Sequence, residues 1–290
     1  MIKKIVVASE IIPNADEMFQ YLGGLRKFGA KECILVQCKN QADTPREAPK
    51  DVSEFIDAIM EENLQSQKKI LEEQGFEVTC SIGSGLIRQE INKIAIKEDA
   101  DLIVAAARRE DRITGYPFDD AAYDVIQNAG KPVLLIRMNE DEKKNQDLTE
   151  HVLFATDFSD NAGIAFQSLI ELAETGIGKV SLIHVQEKTR IEPHLLEKLD
   201  DFNRIDQGRL ESLKEQLHNK GCSEVDTHIL YGAPKYELNK FIREKNVTLT
   251  IMGSQGRGFI DELFVGGVSQ NVARESVSSV LLIPTGFRHV

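Results

Sequence analysis

The chain repeats itself over half its length. Ile5-Val6-Val7-Ala8-Ser9-Glu10 recurs 147 residues later as Val152-Leu153-Phe154-Ala155-Thr156-Asp157. At the same spacing, Glu90-Ile91-Asn92-Lys93 recurs as Glu237-Leu238-Asn239-Lys240, and Val133-Leu134-Leu135-Ile136 as Val280-Leu281-Leu282-Ile283. Three matches at one spacing in 290 residues mean duplication of a whole domain. A solenoid repeat is much shorter, roughly 20–50 residues. Each copy is long enough to bury a core of its own.

Within each copy, strand patterns alternate with helical ones. In the first copy the strands are expected near 3–9, 32–37, 76–82, 101–106 and 133–136; in the second, at 151–156, 179–185, 224–229, 248–252 and 279–283. Several are near-continuous Val/Ile/Leu runs, as in parallel strands covered on both faces. Ser159 is placed to cap a helix over 160–174, which Gly176 and Gly178 end. Leucines at helical spacing run through 191–219 to Gly221, Pro234 sits in the first turn of the next helix, and the first copy has a helix over 51–74. The expected class is therefore α/β, with two doubly wound domains. Each is a five-stranded, mostly parallel sheet with helices on both faces. The charged run Asn139 to Asp147 has no apolar member and marks the joint. The domains are then 1–138 and 150–290, with a linker at 139–149.

The net charge of −12 leaves no basic stripe to neutralise a phosphate backbone, which argues against nucleic-acid binding. No apolar run approaches the roughly 20 residues of a membrane span, and the N-terminus reads as a buried strand rather than a leader. Cys33, Cys38, Cys80 and Cys222 show no CxxC spacing and read as reduced core residues, which points to a cytoplasmic location.

The copies diverge where ligands bind in such folds, beyond the carboxyl ends of the strands. The second copy has Gly253, Gly256, Gly266, Gly267 and Ser269; at the matching positions the first has Ala106, Arg109, Asp119, Asp120 and Ala122. Glycines let backbone approach an anion, and the free amides of a helix start point at it. In the second copy that loop runs from Met252-Gly253-Ser254-Gln255-Gly256-Arg257 to Gly266-Gly267-Val268-Ser269. Ser254 and Ser269 can add hydroxyl donors and Arg257 a positive charge. Ala155-Thr156-Asp157, at the end of the first strand, brings a carboxylate that can accept from a ribose or hold a metal on phosphates. No Lys-Ser/Thr pair completes a P-loop, and no G-x-G-x-x-G follows the first strand. His184 reads as a core or edge histidine, and the other five histidines as structural or surface residues.

Gly253-x2-Gly256-x9-Gly266, followed by Gly267-Val268-Ser269, resembles the nucleotide-binding signature of the universal stress protein family. The strand opening Phe154 to Ser159, the His184-Val185 strand end and the final Val280-Leu281-Leu282-Ile283-Pro284 fit the same pattern. The second copy resembles the family throughout and the first through the repeat, so the chain looks like a tandem member with the adenine nucleotide α-hydrolase-like architecture. The resemblance implies an adenine nucleotide (ATP, ADP or AMP, with Mg2+ accompanying ATP). Asp157 and Val185 would lie at its adenosine end, and Gly253, Gly256, Gly266, Val268 and Ser269 around its phosphates and ribose. Gly267 stands where the family has Ser or Thr, which removes one hydroxyl donor and brings AMP and ADP forward. The resemblance also implies pairing through the last strands, here within one chain as a pseudo-dimer; two chains pairing further is left open.

In the first copy the equivalent positions are Glu10, Cys38, Ala106, Arg109, Asp119, Asp120, Ala121 and Ala122. Acids where phosphate oxygens belong predict no nucleotide there. A metal at Glu10, Asp119 and Asp120 is the less economical reading, since acids at helix starts also serve the dipole. The expected function is a nucleotide-binding stress-response or regulatory protein without efficient catalysis, at most slow ATP hydrolysis. Two alternatives stand beside it. One is an α-hydrolase-type enzyme, for which Asp157-Phe158-Ser159-Asp160-Asn161 is a poor match; the other is a nucleotide-free scaffold, which the retained glycines argue against.

Overall fold

A computed structural model describes residues 2–9, 19, 21–39, 50–84, 87–107, 125–126, 129–137, 147–191, 196–255 and 266–287. The chain divides into two compact units, Met1–Asn145 and Gln146–Val290. Of the linker expected at 139–149, only 147–149 lie among the described residues. There Asp147 Oδ1 accepts from the Thr149 amide and hydroxyl, at 3.0 and 2.7 Å, in a turn leading into the second unit.

The first unit contains strands β1 (Lys4–Ala8), β2 (Glu32–Lys39), β3 (Glu77–Ser84), β4 (Leu102–Ala107) and β5 (Val133–Arg137). Helix α1 (Lys50–Glu73) packs on β2 and β3, and α2 (Ile87–Lys97) on β1 to β4. The strand order is β3-β2-β1-β4-β5, and every pairing is parallel. Val6, Val7, Leu35 and Val36 are wholly buried. Helix α1 lays Met60, Leu64, Gln67 and Leu71 on the sheet at helical spacing.

The second unit contains β6 (His151–Ala155), β7 (Lys179–Glu187), β8 (Glu224–Gly232), β9 (Leu249–Gly253) and β10 (Ser279–Ile283). Its longer helices are α3 (Asp160–Ala173), α4 (Leu199–Asn219), α5 (Pro234–Glu244) and α6 (Gly267–Glu275). The order β8-β7-β6-β9-β10 is that of the first unit, again with every pairing parallel. Strand order reverses between β6 and β9. Right-handed crossovers then put α3 and α4, which touch, on one face and α5 and α6, also in contact, on the other. Strands β6, β9 and β10 are buried along their whole length, which is why they read as unbroken apolar runs.

The capping and turn signals act as expected. Ser159 Oγ accepts from the Ala162 amide at 3.3 Å and caps α3, with Asp160 in the first turn complementing the dipole. Gly176 and Gly221 take the left-handed conformation just past α3 and α4, and Pro234 opens α5. One expectation is corrected. The apolar periodicity predicted a single helical stretch from 191, whereas α4 begins at Leu199 after a 3-10 turn over Leu196–Lys198. A short helix over Lys188–Ile191 comes before it and 192–195 lie outside the described residues; apolar periodicity marks the face of a helix, not the breaks in its backbone.

Candidate functional site

Helix α3, entered from β6, positions the first part of the site. Thr156 donates its amide to the Ile183 carbonyl at 2.9 Å and so keeps the line of the strand. The chain then folds sharply. Thr156 Oγ1 accepts from the Phe158 amide at 3.0 Å, and Asp157 Oδ1 accepts from the Ser159 amide and hydroxyl at 3.1 and 2.6 Å. Phe158 sits at φ +58, a conformation that costs a side-chain-bearing residue roughly 1–2 kcal/mol. Its ring is held between His184, with centroids 4.6 Å apart, and the Arg209 guanidinium 5.1 Å above it. The turn leaves Asp157 facing a cavity.

The second part comes from the end of β9. A Cβ on Gly253 would lie 2.6 Å from Asn161 Nδ2, so glycine is required there by the packing of α3 itself. That same Asn161 amide donates to the Gln255 carbonyl at 2.9 Å and pins the start of the loop. Ser254 donates its amide to Ile283 and accepts from the Gly266 amide at 2.7 Å, which ties both ends of the loop together. Gly266 is the N-cap of α6 and brings no side chain to cap it. The amides of Gly267, Val268 and Ser269 thus open the helix without side-chain capping from that residue. Ser269 Oγ donates to the Gly253 carbonyl at 2.9 Å.

These parts meet around a cavity of about 410 Å³ at the carboxyl ends of β6, β7 and β9, where the strand order reverses. Ala155, Thr156, Asp157, Val185, Met252, Gly253, Gly266, Gly267, Val268 and Ser269 line it, as the glycine pattern and the strand ends led us to expect. Ser254 does not: it is buried beside the wall as the loop's clamp. The Ser269 hydroxyl, expected as a phosphate donor, is engaged with Gly253. Gly256 and Arg257 lie outside the described residues, as do Glu10, Arg109 and Asp119 to Ala122 of the first unit.

Sequence reasoning passed over the far wall, formed by His184, Gln186, Ile191, Phe202, Asp206 and Leu238. His184, read as a core or edge histidine, is the latter, with its ring hydrogen-bonded. It is half-buried on the wall and donates through Nδ1 to the Thr156 carbonyl at 2.8 Å, with Nε2 3.6 Å from Asp206. Asp206 Oδ2 accepts from Gln186 Nε2 at 3.0 Å. The ionisable groups on the described wall are Asp157, His184, Glu187 and Asp206; neither Lys nor Arg is among them.

A second polar cluster lies at the opposite, amino ends of the strands. His151 Nε2 is 2.9 Å from Ser181 Oγ, and Nδ1 donates to the Lys245 carbonyl at 3.0 Å. Asp226 lies 3.1 Å from both Lys179 and His228. The Ser, His and Asp here do not form a catalytic triad. Ser181 is wholly buried, and a backbone carbonyl, rather than a carboxylate, orients the imidazole. Burial pushes the His151 pKa down and keeps the ring neutral. Burial alone would raise Asp226, yet hydrogen bonds from Ser181 and Lys179 and the charge of His228 hold it below the usual carboxylate range.

The four cysteines are free thiols. Burial pushes Cys33 up to about 12 and Cys38 up to about 11, so neither is a thiolate nucleophile at neutral pH. Among the described residues no group of three His, Cys, Asp or Glu side chains is placed to hold a metal, and no helix is long and apolar enough to cross a membrane.

With the geometry in place, the chain can be set beside known proteins. The model of the universal stress protein family matches residues 1–137 and again 149–284. The chain belongs to this family. Among its relatives, a universal stress protein of Methanocaldococcus jannaschii is 26% identical over 151 residues, which is 46% of this chain and 93% of that protein. A putative universal stress protein of Staphylococcus aureus is 25% identical over 140 residues, 47% of this chain and 84% of the other. A crystal structure of a universal stress protein from Archaeoglobus fulgidus superposes with a TM-score of 0.75 over 97% of this chain and 96% of that one; at 22% identity this is a likeness of fold. Each of these two relatives matches about half of this chain, and the family pattern occurs twice in it.

Proposed function

We propose that this universal stress protein binds one adenine nucleotide per chain, in the second unit, and acts as a regulatory rather than an efficiently catalytic component of a stress response. The observation that carries the reading is the cavity closing on the start of α6. Three successive amides and a helix dipole face it at one end, matched to phosphate, and an apolar slot at the other is matched to a flat base. The described wall presents three carboxylates and no cation. The phosphate charge therefore falls to those amides, to Arg257 and, for ATP, to Mg2+, for which Asp157 on the cavity wall is a candidate ligand. Three of the polar groups that could start chemistry there are engaged structurally: Asp157 with Ser159, His184 with Thr156, Ser269 with Gly253. This favours binding over turnover.

Free thiols support a cytoplasmic setting, and the matched last strands of the sequence support pairing of the two halves within the chain. The deciding test is calorimetric titration of nucleotide-stripped protein with ATP, ADP and AMP, with magnesium present. One site per chain is expected. Two sites would overturn the restriction to the second unit; no heat and no thermal stabilisation with any of the three would overturn nucleotide binding itself, since ligand at 100 times its Kd adds about 2.7 kcal/mol to stability.

A further inference from the structure

The far wall of the cavity carries a carboxylate where the buried stripe of the corresponding helix in the first unit has an apolar residue. Helix α1 of the first unit packs Met60, Leu64, Gln67 and Leu71 inward, and α4 of the second repeats the spacing with Asp206, Leu210, Leu213 and Leu217. Met60 is 2% exposed and apolar; Asp206, at the same step of the stripe (206 − 60 = 146, one short of the strand period, as for Gly75 and Gly221 just past the two helices), is 9% exposed. A carboxylate buried at such a position is unfavourable unless it is paired or used. Its pairing is incomplete. Oδ2 accepts from Gln186 Nε2 at 3.0 Å, Oδ1 lies 3.4 Å from Arg209 Nη1, and His184 Nε2 stands off at 3.6 Å. A carboxylate offers about four acceptor positions, so capacity remains on a group that lines the cavity.

Its place in the sheet says what it faces. Helix α6 follows β9 and Gln186 lies on β7, with β6 between them. Two strand spacings, roughly 10 Å, separate the amide-rich helix start from the Asp206 wall. A mononucleotide anchored by phosphate at α6 brings its base to Asp206, between Ile191, Phe202 and Leu238. Glu187 lies on the same side, and no described Lys or Arg lines the cavity. That end accepts hydrogen bonds and offers a 6-oxo group little in return.

We propose that Asp206, oriented by Gln186, reads the exocyclic amino group of the adenine base and makes the second unit selective for 6-aminopurine nucleotides. The proposal rests on the nucleotide reading above, and one experiment separates the two. The intact chain is titrated calorimetrically with AMP, with purine riboside 5′-monophosphate, which differs only in lacking the amino group, and with IMP, which carries an oxo group there. AMP should bind about 10- to 100-fold tighter than either analogue, as a hydrogen bond to a charged acceptor implies. In Asp206→Met, which installs the first unit's residue, the preference for AMP over purine riboside monophosphate should fall to about onefold; a purely structural role would weaken both alike and leave the ratio. AMP and purine riboside monophosphate bound equally by the unaltered chain, or a ratio preserved in Asp206→Met, overturns the proposal and leaves nucleotide binding standing. Failure of the unaltered chain to bind AMP overturns both. If Asp206→Met does not fold, the ratio on the unaltered chain still decides.

Discussion

At the tip of β1 the Ser9 amide donates to the Val36 carbonyl, and at the tip of β6 the Thr156 amide donates to the Ile183 carbonyl, the same bond 147 residues later. Beyond that bond the two units part. The Ser9 hydroxyl turns inward to Gln67, whereas Thr156 Oγ1 accepts from the Phe158 amide and shapes the turn that presents Asp157. Gln37, 1% exposed, has no hydrogen-bond partner for either amide atom among the described residues, while its counterpart His184 is fastened to the Thr156 carbonyl. On the covering helix the buried stripe has Met60 in the first unit and Asp206 at the same step in the second. The backbone lattice is common and the strand tips are not. Parallel pairing and buried Val/Ile/Leu runs are enough to hold the fold, so the tips are free to differ, and the proposed site is built from those of the second unit.

The strongest way to break this comparison is to transplant one tip residue. Gly267 matches Asp120 of the first unit, and a Cβ there would meet nothing within 4 Å. Gly267→Asp should reduce nucleotide affinity by about 100-fold or more, near 2.7 kcal/mol, while the melting temperature holds or rises, because an acid in a first helical turn contributes about 0.3–1 kcal/mol. Undiminished affinity in calorimetry would mean that the α6 start is not the anion site.

Gly253→Ala comes next. Its new methyl would press on Asn161 and break the bond to Gln255, destabilising the second unit by about 1–3 kcal/mol. Gly163→Ala, in α3 with open space around it, should instead stabilise by about 0.5–1 kcal/mol. Urea midpoints that moved in the same direction for the two would refute the packing argument.

Gly267→Ser sharpens the comparison from the other side by adding the hydroxyl found at this position in the resembled signature. ATP should bind about tenfold tighter, with AMP improved less; equal gains would place the hydroxyl away from the terminal phosphates.

The smallest effect concerns pH. The first unit has Lys4 where the second has His151. Burial lowers the His151 pKa below the ordinary value of about 6.5, so on acidification the unfolded chain takes the proton first. The stability this ring contributes is full above about 6.5 and is lost progressively as the pH falls through that value. A chemical-denaturation midpoint measured on both sides of the histidine range should fall on the acid side, and His151→Gln should flatten that part of the profile.

Much of this was legible in the amino acids. The 147-residue period marked duplication, unbroken apolar runs marked parallel strands, and Ser159, Gly176, Gly221 and Pro234 marked helix ends through local backbone chemistry. The glycines of the second copy pointed to the cavity end at the start of α6, where Gly253, Gly266 and Gly267 line the wall. Asp206 was not legible. Helix α4 also carries Asp200, Asp201, Glu211 and Glu215, and composition does not say which acid turns inward. Its register with Leu210 and Leu217, set against Met60, was the available signal. That His184 lines the cavity was not legible for a related reason: strand alternation gives a face, not whether that face meets helix or cavity at the strand's last residues.

The sequence by itself determined the duplication, the α/β class and the half that keeps its glycines, since these follow from periodicity and from conformations available within a few residues. Only the tertiary structure decided that Gly253 is demanded by Asn161, that Ser254 and Ser269 are clamps, and that Gln186, Asp206 and His184 share one wall. Those roles depend on contacts between residues up to 94 apart in sequence, as for Asn161 and Gln255, which no local pattern specifies.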